Sequence, residues 1–181
     1  MPDAVRPPTT TVVAMGVSGS GKSTIAEGIA GRMGWDFVEG DALHPPANVA
    51  KMRAGTPLTD DDRWPWLREV AAVIGEHEAA GTSLVITCSA LRHAYRDLLR
   101  DGHPSVWFAH VHASEETLAG RVGNRPGHFM PPSLLRSQLD TLEMLTADEP
   151  GELYDSEGSA EDSVRALLAA LERERGVTAP D

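Results

Sequence analysis

The stretch Gly16–Thr24, GVSGSGKST, constrains the fold more than any other part of the chain. It matches the pattern G-x-x-x-x-G-K-[ST] and ends the apolar run Thr11–Val17. A segment with Ile25 and Ile29 at helical spacing follows it. Glycines allow backbone angles that turn successive N–H groups inward around an anion, and a helix start adds partial positive charge. The stretch therefore predicts a strand, a phosphate-binding loop and a helix, in that order.

The polar residues of this stretch predict a nucleoside triphosphate site. Lys22 is expected to reach the β- and γ-phosphates, and Ser23 to coordinate Mg²⁺ through its hydroxyl group. The other predicted nucleotide-binding residues are Gly16, Ser18, Gly19, Ser20, Gly21 and Thr24. The alternative is a flexible turn without a ligand, and the predicted strand and helix on either side argue against it.

Strand-like and helix-like segments alternate along the chain, which predicts a parallel sheet with helices on both faces. The predicted strands are Thr11–Val17, Trp35–Glu39, Ser83–Thr87, Val106–Val111 and Glu152–Asp155. The predicted helices are Ser23–Met33, Pro45–Arg53, Asp61–Ala80, Leu91–Asp101, a short one after Ser114, Ser133–Leu145 and one opening at Ser159. We expect one three-layer α/β domain of the P-loop NTPase type over residues 11–174. Residues 1–10 and 175–181 are predicted to be disordered tails.

Charge and composition limit the partners and the compartment. The formal net charge of −11 argues against nucleic acid or an anionic membrane as a partner, because both require a basic face. No secretory signal pattern opens the chain and no apolar run approaches the ~20 residues of a membrane span, so we expect a cytoplasmic protein. Cys88 is the only cysteine, and we expect a buried thiol rather than a nucleophile.

A second polar cluster, Glu39-Gly-Asp-Ala-Leu-His44, follows the predicted second strand. Ligands bind at the carboxyl ends of parallel strands, so this cluster is expected beside the phosphates. Asp41 is the candidate general base that accepts the proton of an attacking hydroxyl group, with a turn or helix cap as the alternative. His44 is a candidate acceptor-binding residue, with a solvated loop position as its alternative. The cluster favours a small-molecule kinase over a GTPase, for which no guanine-reading Asn-Lys-x-Asp element is present.

Five stretches closely resemble the gluconokinase family, and they occur in the family's order. They are GVSGSGKST, EGDALHPPANVAKMRAGTPLTDDDRWPWL, CSALRHAYRDLLR, RVGNRPGHFM and SQLDTLE. The resemblance runs from about Val12 to Leu171 and is most specific over Glu39–Leu67. These small ATP-dependent kinases are similar to shikimate and nucleoside monophosphate kinases. Leu139 and Met144 stand where phenylalanine and proline are usual, and we expect only local packing to differ.

The resemblance implies transfer of a phosphoryl group from ATP, with Mg²⁺, to the 6-hydroxyl group of D-gluconate, giving 6-phosphogluconate. It also implies a homodimer. A mobile lid over residues 121–132 is implied by the similarity to monophosphate kinases. Arg121 and Arg125 are expected to bind ATP there and to stabilise the charge on the transferring group. His128 is expected to bind the acceptor and help to latch the lid, with an ordinary surface loop as the alternative.

The carboxylate of gluconate requires a cation, and arginine can hold a carboxylate with two parallel hydrogen bonds. Arg92 and Arg96 are favoured, because residues four apart share one face of a helix. Arg63 and Arg53 are further candidates. A surface salt bridge is the alternative for each of these arginines.

Two other functions stay open at this point. Another small-molecule kinase of the same fold, such as a shikimate-type enzyme, would be distinguished by competition between substrates. A non-catalytic nucleotide-binding protein would show a tight ATP complex without turnover.

Overall fold

The sheet is parallel throughout and has the strand order β2-β3-β1-β4-β5. In the computed structural model, which describes residues 8–123 and 131–181, β1 lies at the centre, where Thr11 pairs with both Leu84 and Val106. The strands are β1 (Thr11–Met15), β2 (Asp36–Val38), β3 (Leu84–Thr87), β4 (Val106–His112) and β5 (Gly151–Asp155). The predicted alternation of strands and helices is confirmed.

Helices cover both faces of the sheet, as predicted. They are α1 (Lys22–Met33), α2 (Pro46–Arg53), α3 (Asp60–Ala80), α4 (His93–Arg100), α5 (Glu115–Gly123), α6 (Pro132–Thr141) and α7 (Ala160–Arg175). A short 3₁₀ helix, Gly40–Leu43, follows β2. Within the described ranges, no helix combines the length and the apolar character that crossing a bilayer requires.

Two apolar clusters form the core, one on each side of β1. Val13 and Met15 face a cluster that includes Trp66 and Leu67 of α3. The intervening residues of β1 face the opposite cluster, which α1 and α7 cover. A strand that is buried on both faces has apolar residues at successive positions, which explains the run TVVAM. Cys88 is buried beside the first cluster, and burial raises the pKa of its thiol to about 12, so it is a packing residue as expected.

Two predicted helix boundaries were wrong. The helix predicted from Leu91 begins at His93, because Arg92 has the extended angles φ −109° and ψ 150°. The helix predicted to reach Leu145 ends at Thr141, because the chain turns there and the N–H of Glu143 donates to the carbonyl of Leu91 at 2.7 Å. The hydrogen bond between Glu143 and Leu91 joins the two segments at these boundaries, and the spacing of neighbouring residues cannot predict such a contact between distant parts of the chain.

Within the described residues, the two terminal tails are shorter than predicted. Thr10 is buried, and its N–H donates to Ser83 Oγ at 3.1 Å. Arg175 ends α7 and donates to the carbonyl of Val106 at 2.6 Å. Both residues therefore belong to the folded domain. Residues 1–7 lie outside the described residues.

Candidate active site

The loop Gly16–Gly21 joins β1 to α1 and requires glycine at specific positions. Gly19 and Gly21 have φ angles of 81° and 93°, in the left-handed region that favours glycine. A Cβ atom on Gly16 would lie 2.5 Å from the carbonyl oxygen of Val111. The glycines of the sequence pattern therefore permit both the backbone path of the loop and its close approach to β4.

The start of α1 suits an anion. Its N-cap residue is Gly21, which has no side chain to cap the helix, and the first turn has no acidic residue. By contrast, Asp60, Asp61 and Asp62 lie in the first turn of α3. The first N–H groups of a helix lack partners within the helix and carry partial positive charge. The loop and the first turn of α1 can therefore bind phosphate oxygens.

Oxygen donors suited to Mg²⁺ converge beside Ser23. The hydroxyl group of Ser23 donates to Glu39 Oε2 at 2.9 Å, and Thr87 Oγ1 donates to Glu39 Oε1 at 2.5 Å. Mg²⁺ prefers oxygen ligands, and with nucleotides it often uses one or two carboxylates together with phosphates and water. The described residues contain no group of three or more His, Cys, Asp or Glu side chains that could hold a metal on its own. The Ser23 hydroxyl and the Glu39 carboxylate fit Mg²⁺ that is shared with a nucleotide.

A cavity of about 410 Å³ opens beside the loop, within the size range of small-molecule sites. The loop and α1 form one wall, and the segment between β5 and α7 forms the other. Ser156 and Gly158, which follow β5, line this cavity. The full lining is Gly19, Ser20, Gly21, Thr24, Ile25, Arg121, Ser156, Gly158, Ala160 and Ser163.

Arg121, in the last turn of α5, also lines this cavity. Its Nη2 atom donates to the carbonyl of Ser156 at 2.7 Å, and its Nη1 atom donates to the carbonyl of Ser20 at 3.3 Å. The side chain thus ties the phosphate-binding loop to the segment after β5. Arg121 therefore lies beside the phosphate-binding loop, and its role in binding ATP stays a prediction. Arg125 and His128 lie outside the described residues.

A second cavity, of about 70 Å³, lies on the other side of the loop. It brings together Lys22, Asp41, His44 and Arg63, which the sequence analysis had singled out from three separate segments. Ser18 also lines it. The other lining residues are Met52, Pro57, Leu58, Trp66, Ser89, Leu91, Leu134, Ser137 and Gln138. We call this space the acceptor cavity.

Trp66 fixes the backbone around Asp41. The indole N–H donates to the carbonyl of Gly40 at 2.8 Å, and the His44 ring stacks on the indole with centroids 4.0 Å apart. The N–H of Gly40 donates to Thr87 Oγ1 at 3.0 Å. The residue before Asp41 is therefore held at both its N–H and its carbonyl, while the Asp41 side chain itself is 63% exposed. A carboxylate on a fixed backbone with access to solvent suits a group that accepts a proton from a bound acceptor.

Arg63 and Arg92 share one carboxylate, that of Asp60. Arg63 is buried, donates to the Tyr95 hydroxyl at 3.1 Å and lies 3.9 Å from Asp60 Oδ1. Arg92 Nη1 lies 3.5 Å from Asp60 Oδ2, and the Tyr95 hydroxyl donates to Asp60. Two guanidinium groups facing one carboxylate leave an excess of positive charge, which suits an anionic ligand.

The structure contradicts the expectation that Arg96 pairs with Arg92 to bind the acceptor. Arg92 precedes α4, so the four-residue spacing does not place the two on one helix face. Arg96 is fully buried, and its Nε atom donates to Glu149 Oε1 at 2.6 Å. Its Nη1 atom donates to the carbonyls of Ala90 and Glu143. Neither Arg53 nor Arg92 lines the acceptor cavity. Arg53 is exposed at the end of α2, whereas Arg92 follows the lining residue Leu91 and shares Asp60 with the lining residue Arg63.

Glu39 and Gln138 are site residues that the sequence analysis missed. The N–H of Ser18, in the phosphate-binding loop, donates to Gln138 Oε1 on α6 at 2.7 Å. Both residues lie in stretches that carried the family resemblance, but the type of each residue alone gave no role. Their contacts depend on elements distant in sequence, so only the fold reveals them.

A phosphate-binding loop flanked by a nucleotide cavity and an acceptor cavity, on this parallel sheet, defines a P-loop kinase. The family profile described as an AAA domain matches residues 12–145. The gluconokinase of Gluconobacter oxydans (strain 621H) is 55% identical over 77% of this chain and 78% of its own length. The thermoresistant gluconokinase of Escherichia coli (strain K12) is 42% identical over 76% of this chain and 78% of its own.

Solved structures agree with these relatives. The crystal structure of a gluconokinase from Sinorhizobium meliloti 1021 has a TM-score of 0.81 and 50% identity, covering 93% of this chain and 94% of that one. The chain belongs to the gluconokinase family, as the sequence motifs predicted.

Proposed function

We propose that this protein is an ATP-dependent gluconokinase, which transfers the γ-phosphoryl group of ATP to the 6-hydroxyl group of D-gluconate. The acceptor cavity carries the proposal, because Lys22 of the phosphate-binding loop meets Asp41 and Arg63 there. A phosphate-binding cation, a carboxylate that can accept a proton and a cation for the acceptor's carboxylate are the groups this reaction needs. The gluconokinase relatives support the choice of acceptor.

The nucleotide would lie in the cavity of about 410 Å³, with its phosphates on the phosphate-binding loop and the first turn of α1. Lys22 would neutralise charge on the β- and γ-phosphates. Ser23 and Glu39 would hold Mg²⁺, which neutralises further phosphate charge when bound. Arg121, and Arg125 by family resemblance, would stabilise charge on the transferring group.

Asp41 would act as the general base. The acceptor oxygen forms a bond to the γ-phosphorus while the bond from that phosphorus to the β-phosphate oxygen breaks, and ADP leaves. The proton of the acceptor hydroxyl group passes to the Asp41 carboxylate. Arg63 and Arg92 would hold the carboxylate at the other end of gluconate, and His44 would bind a hydroxyl group between the two ends.

We also propose that the chain forms a homodimer, works in the cytoplasm and binds neither nucleic acid nor membrane. The dimer is supported by the family resemblance alone. The net charge of −11 supports the proposal that the chain binds neither nucleic acid nor an anionic membrane.

The experiment that tests the function is ADP release from MgATP with a panel of acceptors: D-gluconate, shikimate, AMP, CMP and glycerate. Strong stimulation by gluconate alone is the expected result. Stimulation by a different acceptor would support kinase activity and exclude gluconate as the acceptor. Bound ATP without stimulation by any acceptor would favour a nucleotide-binding protein that lacks turnover.

Replacing Asp41 with asparagine should lower kcat by ~10²- to 10⁴-fold and leave MgATP binding intact, because an amide cannot accept the proton. The measurements are gluconate-dependent ADP release and the Kd of MgATP. Asp61→Asn is the matched control, because Asp61 is an exposed carboxylate of α3 outside the cavity lining. A variant at Asp41 that keeps normal turnover would exclude its role as the base.

Replacing Arg92 with glutamine should raise the KM for gluconate by ~10- to 100-fold, the effect of losing one charge-assisted hydrogen bond. The KM for ATP serves as the internal reference in the same assay. Arg53→Gln is the control, since Arg53 is exposed and away from the cavity. Equal KM values for gluconate in the two variants would remove Arg92 from the site.

A further inference from the structure

The orientation of the Asn48 side chain is fixed by its neighbours. Asn48 is 3% exposed, and its Nδ2 atom lies 2.9 Å from the carbonyl oxygen of Asp62 and 3.2 Å from His44 Nδ1. A carbonyl oxygen only accepts hydrogen bonds, so the amide nitrogen, and not the amide oxygen, faces Asp62. That nitrogen carries two hydrogens, and the second one points to His44 Nδ1.

This contact determines which nitrogen of His44 carries the proton. Because Nδ1 accepts from Asn48, the proton of the neutral ring is on Nε2. Burial lowers the pKa of His44, and the nearby charge of Arg63 also lowers it, against the opposite effect of Asp41. Asp62, whose carbonyl accepts from Asn48, forms an ion pair through its carboxylate with Lys51, with Nζ 2.8 Å from Oδ2. The ring is therefore neutral at pH 7, and stacking on Trp66 fixes its plane.

The gap between His44 and Asp41 has the size of one hydroxyl group. His44 Nε2 and Asp41 Oδ1 are 4.0 Å apart, which is too long for a direct hydrogen bond. An oxygen atom beside the line that joins these two atoms can lie ~2.8 Å from each of them and bridge the two. Such a hydroxyl group would donate to the carboxylate and accept from the Nε2–H group. Both side chains line the acceptor cavity.

We propose that Asn48 is a positioning residue that fixes the Nε2–H form of His44, so that His44 and Asp41 together bind one hydroxyl group of a polyhydroxylated acceptor. The binding of a hydroxyl group by His44 and Asp41 rests on the proposed function, because it places an acceptor in the cavity. The tautomer of His44 does not, since it concerns the free protein. The arrangement selects a hydroxyl group, because only a group that both donates and accepts satisfies the two sides.

The tautomer is tested by ¹⁵N NMR of the full chain labelled at histidine, without nucleotide or acceptor. We expect Nε2 of His44 to be protonated and Nδ1 to be unprotonated at pH 7, with the signals assigned by their loss in His44→Gln. In folded Asn48→Asp, a carboxylate replaces the donor, and a proton should appear on Nδ1. A protonated Nδ1 in the wild-type protein, or an unchanged ring in Asn48→Asp, would overturn the assignment.

The hydroxyl contact is tested by kinetics. His44→Leu should raise the KM for gluconate by ~10-fold, and His44→Gln should restore most of the loss, because its amide nitrogen can replace Nε2 as a donor. His77→Leu is the control, since His77 contacts Asp36 at the opposite end of β2. Equal KM values for His44→Leu and His44→Gln would overturn the contact. If gluconate does not stimulate ADP release, the proposed function and the contact both fail, while the NMR result still decides the role of Asn48.

Discussion

Replacing Lys22 with alanine should lower the kcat of gluconate-dependent ADP release by ~10³-fold or more while the protein stays folded. Lys22 is the first residue of α1 and lines the acceptor cavity, so under the proposed function its ammonium group would lie where the two substrates meet. Charge develops on the transferring phosphoryl group, and a fixed cation stabilises that charge more than solvent does. Steady-state kinetics with saturating MgATP and gluconate measure the effect.

Lys51 provides the matched control, because it is the only other lysine in the chain. Its Nζ atom donates to Asp62 in a partly exposed ion pair, and hydrogen bonds from Lys51 and Thr59 lower the pKa of Asp62 to about 2. A partly exposed pair contributes little to stability, so Lys51→Ala should stay folded and keep its turnover within a few fold. Equal turnover in the Lys22 and Lys51 variants would reject the phosphate-binding role of the loop.

Replacing Arg96 with methionine should lower the free energy of unfolding by ~3–5 kcal/mol, because it leaves Glu149 buried without its cation. The side chains of both residues are fully buried. Urea unfolding measures the loss. The double variant Arg96→Met/Glu149→Leu should recover much of it, since it removes both charges. Arg136→Met is the control, because Arg136 is 62% exposed where it pairs with Glu115.

The same pair has a defined pH dependence. Burial alone would raise the pKa of Glu149, but hydrogen bonds from Arg96 and from the N–H of Thr146 lower it below the ordinary value of 4.5. A lowered carboxyl pKa stabilises the folded state above the unfolded-state value, and this stabilisation is lost as the pH falls through the lowered value. Without Arg96, burial should hold the pKa of Glu149 above 4.5, so the difference in stability between the wild-type protein and Arg96→Met should be largest at neutral pH and shrink as the pH falls through that raised value toward the lowered wild-type value. A difference that is constant with pH would show that the charge of Glu149 does not contribute.

The sequence predicted the fold and the phosphate-binding loop because both depend on local patterns. Glycines at set positions, an apolar run before them and helical spacing after them occupy neighbouring residues, and the structure agrees with each. The cluster after β2 was predicted for a similar reason, since the carboxyl ends of parallel strands meet at one edge.

The errors and omissions arose where distant segments decide the outcome. Arg92 and Arg96 diverge because Arg92 has extended backbone angles and precedes α4. The loop before it contains Ala90 with φ 44°, an angle that residue type did not signal. The Arg96 hydrogen bond to the carbonyl of Ala90 helps to hold that loop. The hydroxyl group of Thr87, on another strand, holds the Glu39 carboxylate in place, so the residues next to Glu39 in sequence do not indicate its individual role.

The hydrogen bond from the N–H of Ser18 to Gln138 joins the phosphate-binding loop to the wall of the acceptor cavity. Gln138 and Ser18 both line the acceptor cavity, and Ser18 also belongs to the loop that would hold the phosphates. Any change in the affinity for gluconate that MgATP causes through this contact must be matched by an equal change in the affinity for MgATP that gluconate causes. The energetic linkage between the two substrates is thus one quantity, which titration from either side would reveal.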